Sequence, residues 1–197
     1  TDERFRPVNL CNAPDGSLFL VDLYHGIVQH KTYLTRYLRE HIEHRDLASH
    51  PRLGHVYRIR YRHNPLGPQP RMLHKPAAEL VADLAHPNGW WRDTAQQLLI
   101  DRQDRSIVPA LNALVADPQQ PLGQIHALWT LEGLHAVNIT AIEAALKSDN
   151  PRVVEMAIRL SELLAEPADV SRLLPRFGEL ATRNQIVVLR QLAASLG

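Results

Sequence analysis

Residues His86–Arg102 read HPNGWWRDTAQQLLIDR, and this stretch sets the pattern for the larger part of the chain. It is a turn followed by an amphipathic helix. Asn88 suits the N-cap, and Asp93 in the early turns and Arg102 at the far end agree with the helix dipole. Trp91, Ala95, Leu98 and Leu99 recur at i, i+4, i+7 and i+8, one stripe of a helix. Working outward toward the C-terminus, the stripe returns. Ala77, Leu80, Val81 and Leu84 form one such row, and Ile107, Ala110, Leu111, Leu114 and Val115 another. Val153, Ala157, Leu160 and Leu164 make a third, and Val170, Leu173, Leu174, Phe177 and Ala181 a fourth. Thr140–Glu143 has the form of a capping box, and Asn150-Pro151 that of an N-cap followed by proline at the first helical position.

The punctuation between stripes is periodic. His86-Pro87, Asp117-Pro118 and Asn150-Pro151 recur at intervals of 31 and 33 residues, and Asn184 follows Asn150 by 34. A helix pair at that period is the signature of an α-solenoid. The proline before each second helix and the lack of a TPR-type Trp-Leu-Gly-Tyr pattern favour HEAT-like pairs over residues 77–197. Toward the N-terminus, residues 62–76 (RHNPLGPQPRMLHKP) hold four prolines and read as a stiff linker. Before it the period changes from helical to two. Pro7–Asn12 is a strand, Ala13-Pro14-Asp15-Gly16 a turn, and Ser17–Asp22 (SLFLVD) a strand apolar enough to be covered on both faces. A helix is expected from about Lys31 to Arg45, with Tyr33, Tyr37, Leu38 and Ile42 near one face. Gly54–Tyr61 (GHVYRIRY) alternates again. About three short strands with apolar residues on both faces provide neither a second layer nor protected edges, so residues 1–61 are expected to complete themselves within a larger β-structure.

Composition narrows the classes. Hydrophobic residues make up 45% and charged residues 22%, and the 22 basic residues nearly cancel the 21 acidic ones to a net charge of +1. That balance gives no footprint for nucleic acid. No apolar run is long enough to span a membrane. The sequence begins at Thr1 rather than Met, so a processed, trimmed or partial chain is expected and a missing targeting signal carries little weight. Cys11, the single cysteine, has no internal partner, and its strand setting predicts a buried structural thiol.

The segment Phe5–His30, FRPVNLCNAPDGSLFLVDLYHGIVQH, resembles the last blade of a six-bladed β-propeller in the PVC-type haem-binding proteins, large bacterial proteins also described as membrane-bound dehydrogenases. HPNGWWRDTAQQLLIDR and His126–Leu134 (HALWTLEGL) resemble the HEAT-repeat segment that follows that propeller. The resemblance implies a β + α fold class: a partial propeller blade with a helical insertion over 1–61, then a HEAT-like α-solenoid truncated at its C-terminus. It also implies origin in a quinoprotein-like dehydrogenase that oxidises a sugar or alcohol and passes electrons to a cytochrome c, in the periplasm or elsewhere outside the cytoplasm. Pyrroloquinoline quinone and haem c would belong to the full-length protein. This chain holds one blade rather than six, and its cysteine lies outside any CxxCH motif, so the segment itself is expected to be structural. Its partners would be the remaining blades, a cytochrome c domain and a protein bound on the solenoid. The alternative is a HEAT-repeat interaction scaffold with no catalysis. A polysaccharide hydrolase or lyase ranks last, since no nucleophile–base or paired-carboxylate spacing supports it.

Within the blade, Arg6, Asp22, His25 and His30 sit at strand ends, where a propeller builds its ligand face. Against a catalytic role stands a plainer arrangement, and the sequence favours it: Asp22 caps a turn, Arg6 pairs with it and His30 packs on the insertion helix. His41 and His44 are three apart on the insertion helix but lack a third ligand, so no metal site is expected. Trp90, Trp91 and Trp129 could line a binding surface, but core packing is favoured, with Arg92-Asp93 as a polar ladder between repeats. The arginines of Tyr57–Tyr61 (YRIRY) read as a solvated or propeller-edge face.

Overall fold

A computed structural model describes residues 2–49, 53–63, 65–164 and 166–197. Thr1, and Asn64 of the proline-rich stretch, fall outside the described residues. The chain divides into two compact units, Thr1–Pro70 and Arg71–Gly197.

The first unit is built on a three-stranded antiparallel sheet of β1 (Pro7–Asn12), β2 (Leu18–Asp22) and β3 (His55–Ile59), in the order β1-β2-β3. A tight turn joins β1 to β2. There the Asp15 carboxylate accepts from both the backbone N–H and the hydroxyl of Ser17, and Gly16 takes a φ of +83°, a conformation open to glycine at no steric cost. Between β2 and β3 lie a 3₁₀ turn (Lys31–Tyr33) and helix α1 (Arg36–His44). The helix is shorter than the expected span from Lys31 to Arg45, because the Thr35 side chain accepts from Leu38 N–H and makes residue 35 the N-cap. Of the expected face, Ile42 is buried while Tyr33 and Tyr37 are exposed. Gly26 lets the loop after β2 lie against Leu47, since a Cβ there would come within 2.4 Å of the Leu47 carbonyl oxygen.

The register places Leu10, Leu20 and Tyr57 side by side on one face, with Leu18 and Ile59 beside them. Cys11, Phe19, Val21 and Val56 occupy the other. Both faces are therefore apolar, and both are open. Leu10 keeps 57% of its surface, Val56 69% and Ile59 49%, and β2 is only half-buried apart from Asp22. Leu18–Val21 of β2 are thus only half-buried by the described residues. Cys11 is exposed rather than buried as expected; its strand β1 is an edge of the sheet.

The second unit is helical. After a 3₁₀ turn (Met72–His74) come α2 (Ala77–Asp83), α3 (Gly89–Arg102), α4 (Val108–Val115), α5 (Pro121–Gly133), α6 (Ile139–Ala145), α7 (Pro151–Ser161), α8 (Pro167–Ala181) and α9 (Ile186–Leu196). Successive helices pair as α2·α3, α4·α5, α6·α7 and α8·α9, and the second members stack in turn, α3 on α5, α5 on α7 and α7 on α9. One continuous core runs from Met72 to Leu192 through Leu80, Trp91, Leu99, Leu111, Leu128, Ile142, Ile158 and Leu173. Asn88 and Asn150 cap α3 and α7 as the sequence predicts, accepting from Trp90 N–H and Arg152 N–H. The Thr140–Glu143 capping box is not used. Asn138 caps α6, accepting from Ala141 N–H, so Thr140 lies inside the helix and is exposed. Ala110, Leu174 and Ala181 also leave their expected stripes for the surface. These helices bury a narrower face than the apolar pattern allows.

The sequence period reappears in the bonds between layers. The Arg105 guanidinium donates to the His135 carbonyl, Gln103 to that of Gly133 (3.0 Å) and Arg176 to that of Leu146 (2.9 Å), each across 30 residues. Gln103 and His135, just past α3 and α5, both adopt left-handed φ values, of 51° and 50°, and so end their helices in the same way.

Candidate functional site

Antiparallel pairing brings the start of β1, the end of β2 and the start of β3 together at one end of the sheet, with Pro7 opposite Asp22 and Asp22 opposite His55. Arg6 and Asp22, two of the four strand-end candidates, meet here, but not as an ion pair. The Asp22 side chain is fully buried, and its Oδ1 accepts from the backbone N–H groups of Arg6 (2.7 Å) and Tyr24 (2.9 Å). The Arg6 guanidinium turns to the loop instead, donating to the carbonyls of His25 (2.6 Å) and Gly26 (2.8 Å). The expected pairing of Arg6 with Asp22 thus runs through the backbone. Both groups brace the loop that leaves β2, and Tyr24 within it has a φ of +44°, an uncommon conformation for a bulky residue.

Among the described residues, Asp22 Oδ2 has no hydrogen-bond partner, and the buried Nδ1 of His25 has none either. Among the same residues, His55 approaches Oδ2, its Nδ1 4.0 Å away on a half-exposed ring. Tyr24 stands edge-on to that ring at 4.9 Å between centroids, and Tyr57 lies 5.5 Å from it. The Tyr24 hydroxyl bonds to the Asp2 carboxylate, which raises the phenol above its usual range, and the Arg4 backbone N–H together with that bond lowers Asp2. His30 stays apart and exposed, against Tyr33 at 6.3 Å, its Nδ1 accepting from Thr32 N–H. His55 was not singled out from the sequence. The alternation of Gly54–Tyr61 marks a strand, but only the register of β3 against β2 puts position 55 opposite Asp22.

His41 faces Glu3 at 3.9 Å, and among the described residues no group of three or more His, Cys, Asp or Glu side chains is arranged to hold a metal ion. Beside α1 a hollow of about 480 Å³ is lined by Ile27, Leu34, Ile42 and Arg39 among others; none of the four strand-end candidates lines it. Arg58 pairs with Asp15 and donates to Ser17 Oγ (3.1 Å), so it ties β3 to the β1–β2 turn.

Covalent haem attachment needs two thiols, and the chain has one. Of the strand-end candidates, Arg6 has its guanidinium held by two carbonyl oxygens.

In the second unit, polar bonds cross from each second helix to the next. Gln96 Oε1 accepts from His126 Nδ1 (2.7 Å), Arg159 lies over the Trp129 ring at 5.5 Å, and the buried Glu155 receives both Arg152 and Arg190 at 3.0 Å. Burial, with the Arg92 charge, holds the His126 imidazolium below its ordinary pKa, Asp93 opposing. Burial pushes Glu155 up, but its two arginines outweigh that and leave the carboxyl lowered. Arg92 does not join the expected ladder: its guanidinium returns to the carbonyls of His86 and Pro87. Asp93 approaches it, 4.0 Å from His126 Nε2. Trp91 is core, stacked on His86 at 5.1 Å, and Trp90 and Trp129 are half-buried.

The sequence profile of a family described as a domain of unknown function (DUF7133) matches residues 1–63. No curated protein and no solved structure matches the chain.

Proposed function

We propose that residues 1–61 are a blade of a β-propeller and that residues 77–197 are a HEAT-like solenoid joined to it, together forming a structural portion of a bacterial dehydrogenase acting outside the cytoplasm. The whole protein would oxidise a sugar or alcohol and pass electrons to a cytochrome c, with the quinone and haem held by other parts of it. The observation that carries this reading is the sheet with two open apolar faces. Exposed Leu10 and Ile59 on one face and Val56 on the other are what neighbouring blades would cover, at roughly 25 cal/mol per Å² of apolar surface removed from water.

Hydrogen exchange on residues 1–197 alone, and on the natural gene product, tests it. Val8–Leu20 should exchange quickly in the first and slowly in the second, and the natural product should carry further four-stranded units and quinone-dependent oxidation activity. Strong protection of Val8–Leu20 in a monomer of these 197 residues would refute the blade assignment. A second reading, a HEAT-type interaction scaffold without catalysis, draws on the second unit alone, whose continuous core and 30-residue bond spacing need nothing from the sheet.

A further inference from the structure

We propose that Asp22 and His55 form a carboxylate–imidazole pair at the strand-end rim, in which Asp22 is the positioning residue and His55 Nε2 is a hydrogen-bond acceptor for a hydroxyl-bearing ligand. The proposal stands apart from the blade and scaffold readings, since it needs only the first unit. It starts from an unbalanced group. A carboxylate with no exposed side-chain surface spends one oxygen on two backbone N–H groups, while the other oxygen has no partner among the described residues. A buried charge left this way is costly, so it calls for a donor. Arg6, the nearby guanidinium, is committed to carbonyl oxygens. Among the described residues, His55 Nδ1 stands 4.0 Å from Oδ2, about an ångström beyond a hydrogen bond. Such contacts are often long before a ligand is bound.

The rest of the ring's surroundings agree. A carboxylate at Nδ1 keeps the proton there and leaves Nε2 with its lone pair, the arrangement by which buried carboxylates orient histidines. The ring keeps 47% of its side-chain surface, so its far edge is open while its near edge faces Asp22. Tyr24, edge-on at 4.9 Å, and Tyr57 at 5.5 Å limit its rotation. Tyr24 holds its place at a positive φ, and backbone strain of that kind gathers at functional positions. Gly54 allows the close approach of β3 to this end, since a Cβ there would stand 3.3 Å from the Asp22 carbonyl oxygen.

The test is two-bond ¹H–¹⁵N spectroscopy of the full chain at a pH where imidazole is neutral. His55 is expected as the Nδ1–H tautomer in the native protein and as predominantly Nε2–H in Asp22→Asn. Asparagine retains an oxygen for the Arg6 and Tyr24 N–H groups, so the loop survives while the charge goes. Methyl glucoside, used as the hydroxyl-bearing probe, should shift His55 Nε2 saturably in the native chain. With His55→Gln, a change on a half-exposed ring, the probe should no longer perturb the Tyr24 resonances. A native Nε2–H tautomer, or the same tautomer in Asp22→Asn, overturns the pairing. A probe response that does not saturate, or one that survives His55→Gln, overturns the ligand role. Should Asp22→Asn fail to fold, the native tautomer and the His55→Gln titration still decide the question.

Discussion

Replacing Leu131 by alanine should destabilise the second unit by about 3–4 kcal/mol. Leu131 has no exposed surface, and its helix α5 is packed against α3, α4 and α7. Leucine-to-alanine changes in cores cost about 2–5 kcal/mol, the larger values where surrounding helices cannot move in to fill the space. Walls on three sides place Leu131 in the upper half of that range. Against a total stability of about 5–15 kcal/mol, the loss is a sizeable fraction, and it corresponds to a fall in Tm of about 10 °C for a unit of this size. The assay is urea unfolding followed by tryptophan fluorescence. All three tryptophans, Trp90, Trp91 and Trp129, lie in the second unit, so the signal reports on it and not on the sheet. Leu174→Ala serves as the control, because that side chain is 49% exposed despite its place in an apolar stripe, and it should cost under about 0.5 kcal/mol. Equal effects of the two substitutions would refute the assignment of α5 to the centre of the core.

Three further outcomes follow from the geometry. Asn138→Ala should cost about 1 kcal/mol and Thr140→Ala much less, read by the same urea titration, because the cap of α6 is Asn138. Stability should fall at acid pH in two windows. His126, whose folded-state pKa lies below 6.5, loses its contribution as pH drops from about 6.5 toward that value; Glu155, lowered from 4.5, keeps its contribution above about pH 4.5 and loses it as pH falls through its folded value. Thermal unfolding against pH for His126→Gln and Glu155→Gln should flatten the corresponding window in each case. Cys11 should react with a thiol reagent in the folded chain as fast as after unfolding, since it is exposed; marked protection would mean that its face is covered.

Much of the second unit was legible because a helix writes its buried face into local spacing. Asn88 and Asn150 cap from within two residues of the groups they bond, and the intervals of 31 and 33 residues become bonds across 30. Thr140 misled because two capping residues stood two positions apart, and only the packing of α6 decided between them. Cys11 misled because an apolar strand predicts burial without saying what does the burying. At the strand-end rim, sequence alone singled out Arg6, Asp22 and His25 as strand-end polar residues. It left out His55, because 33 residues separate it from Asp22 and their meeting depends on the register of β3 against β2. Local periodicity therefore determined where helices, strands and turns form. Tertiary structure alone decided which polar groups meet, because a hydrogen bond depends on distances of tenths of an ångström that no spacing along the chain encodes.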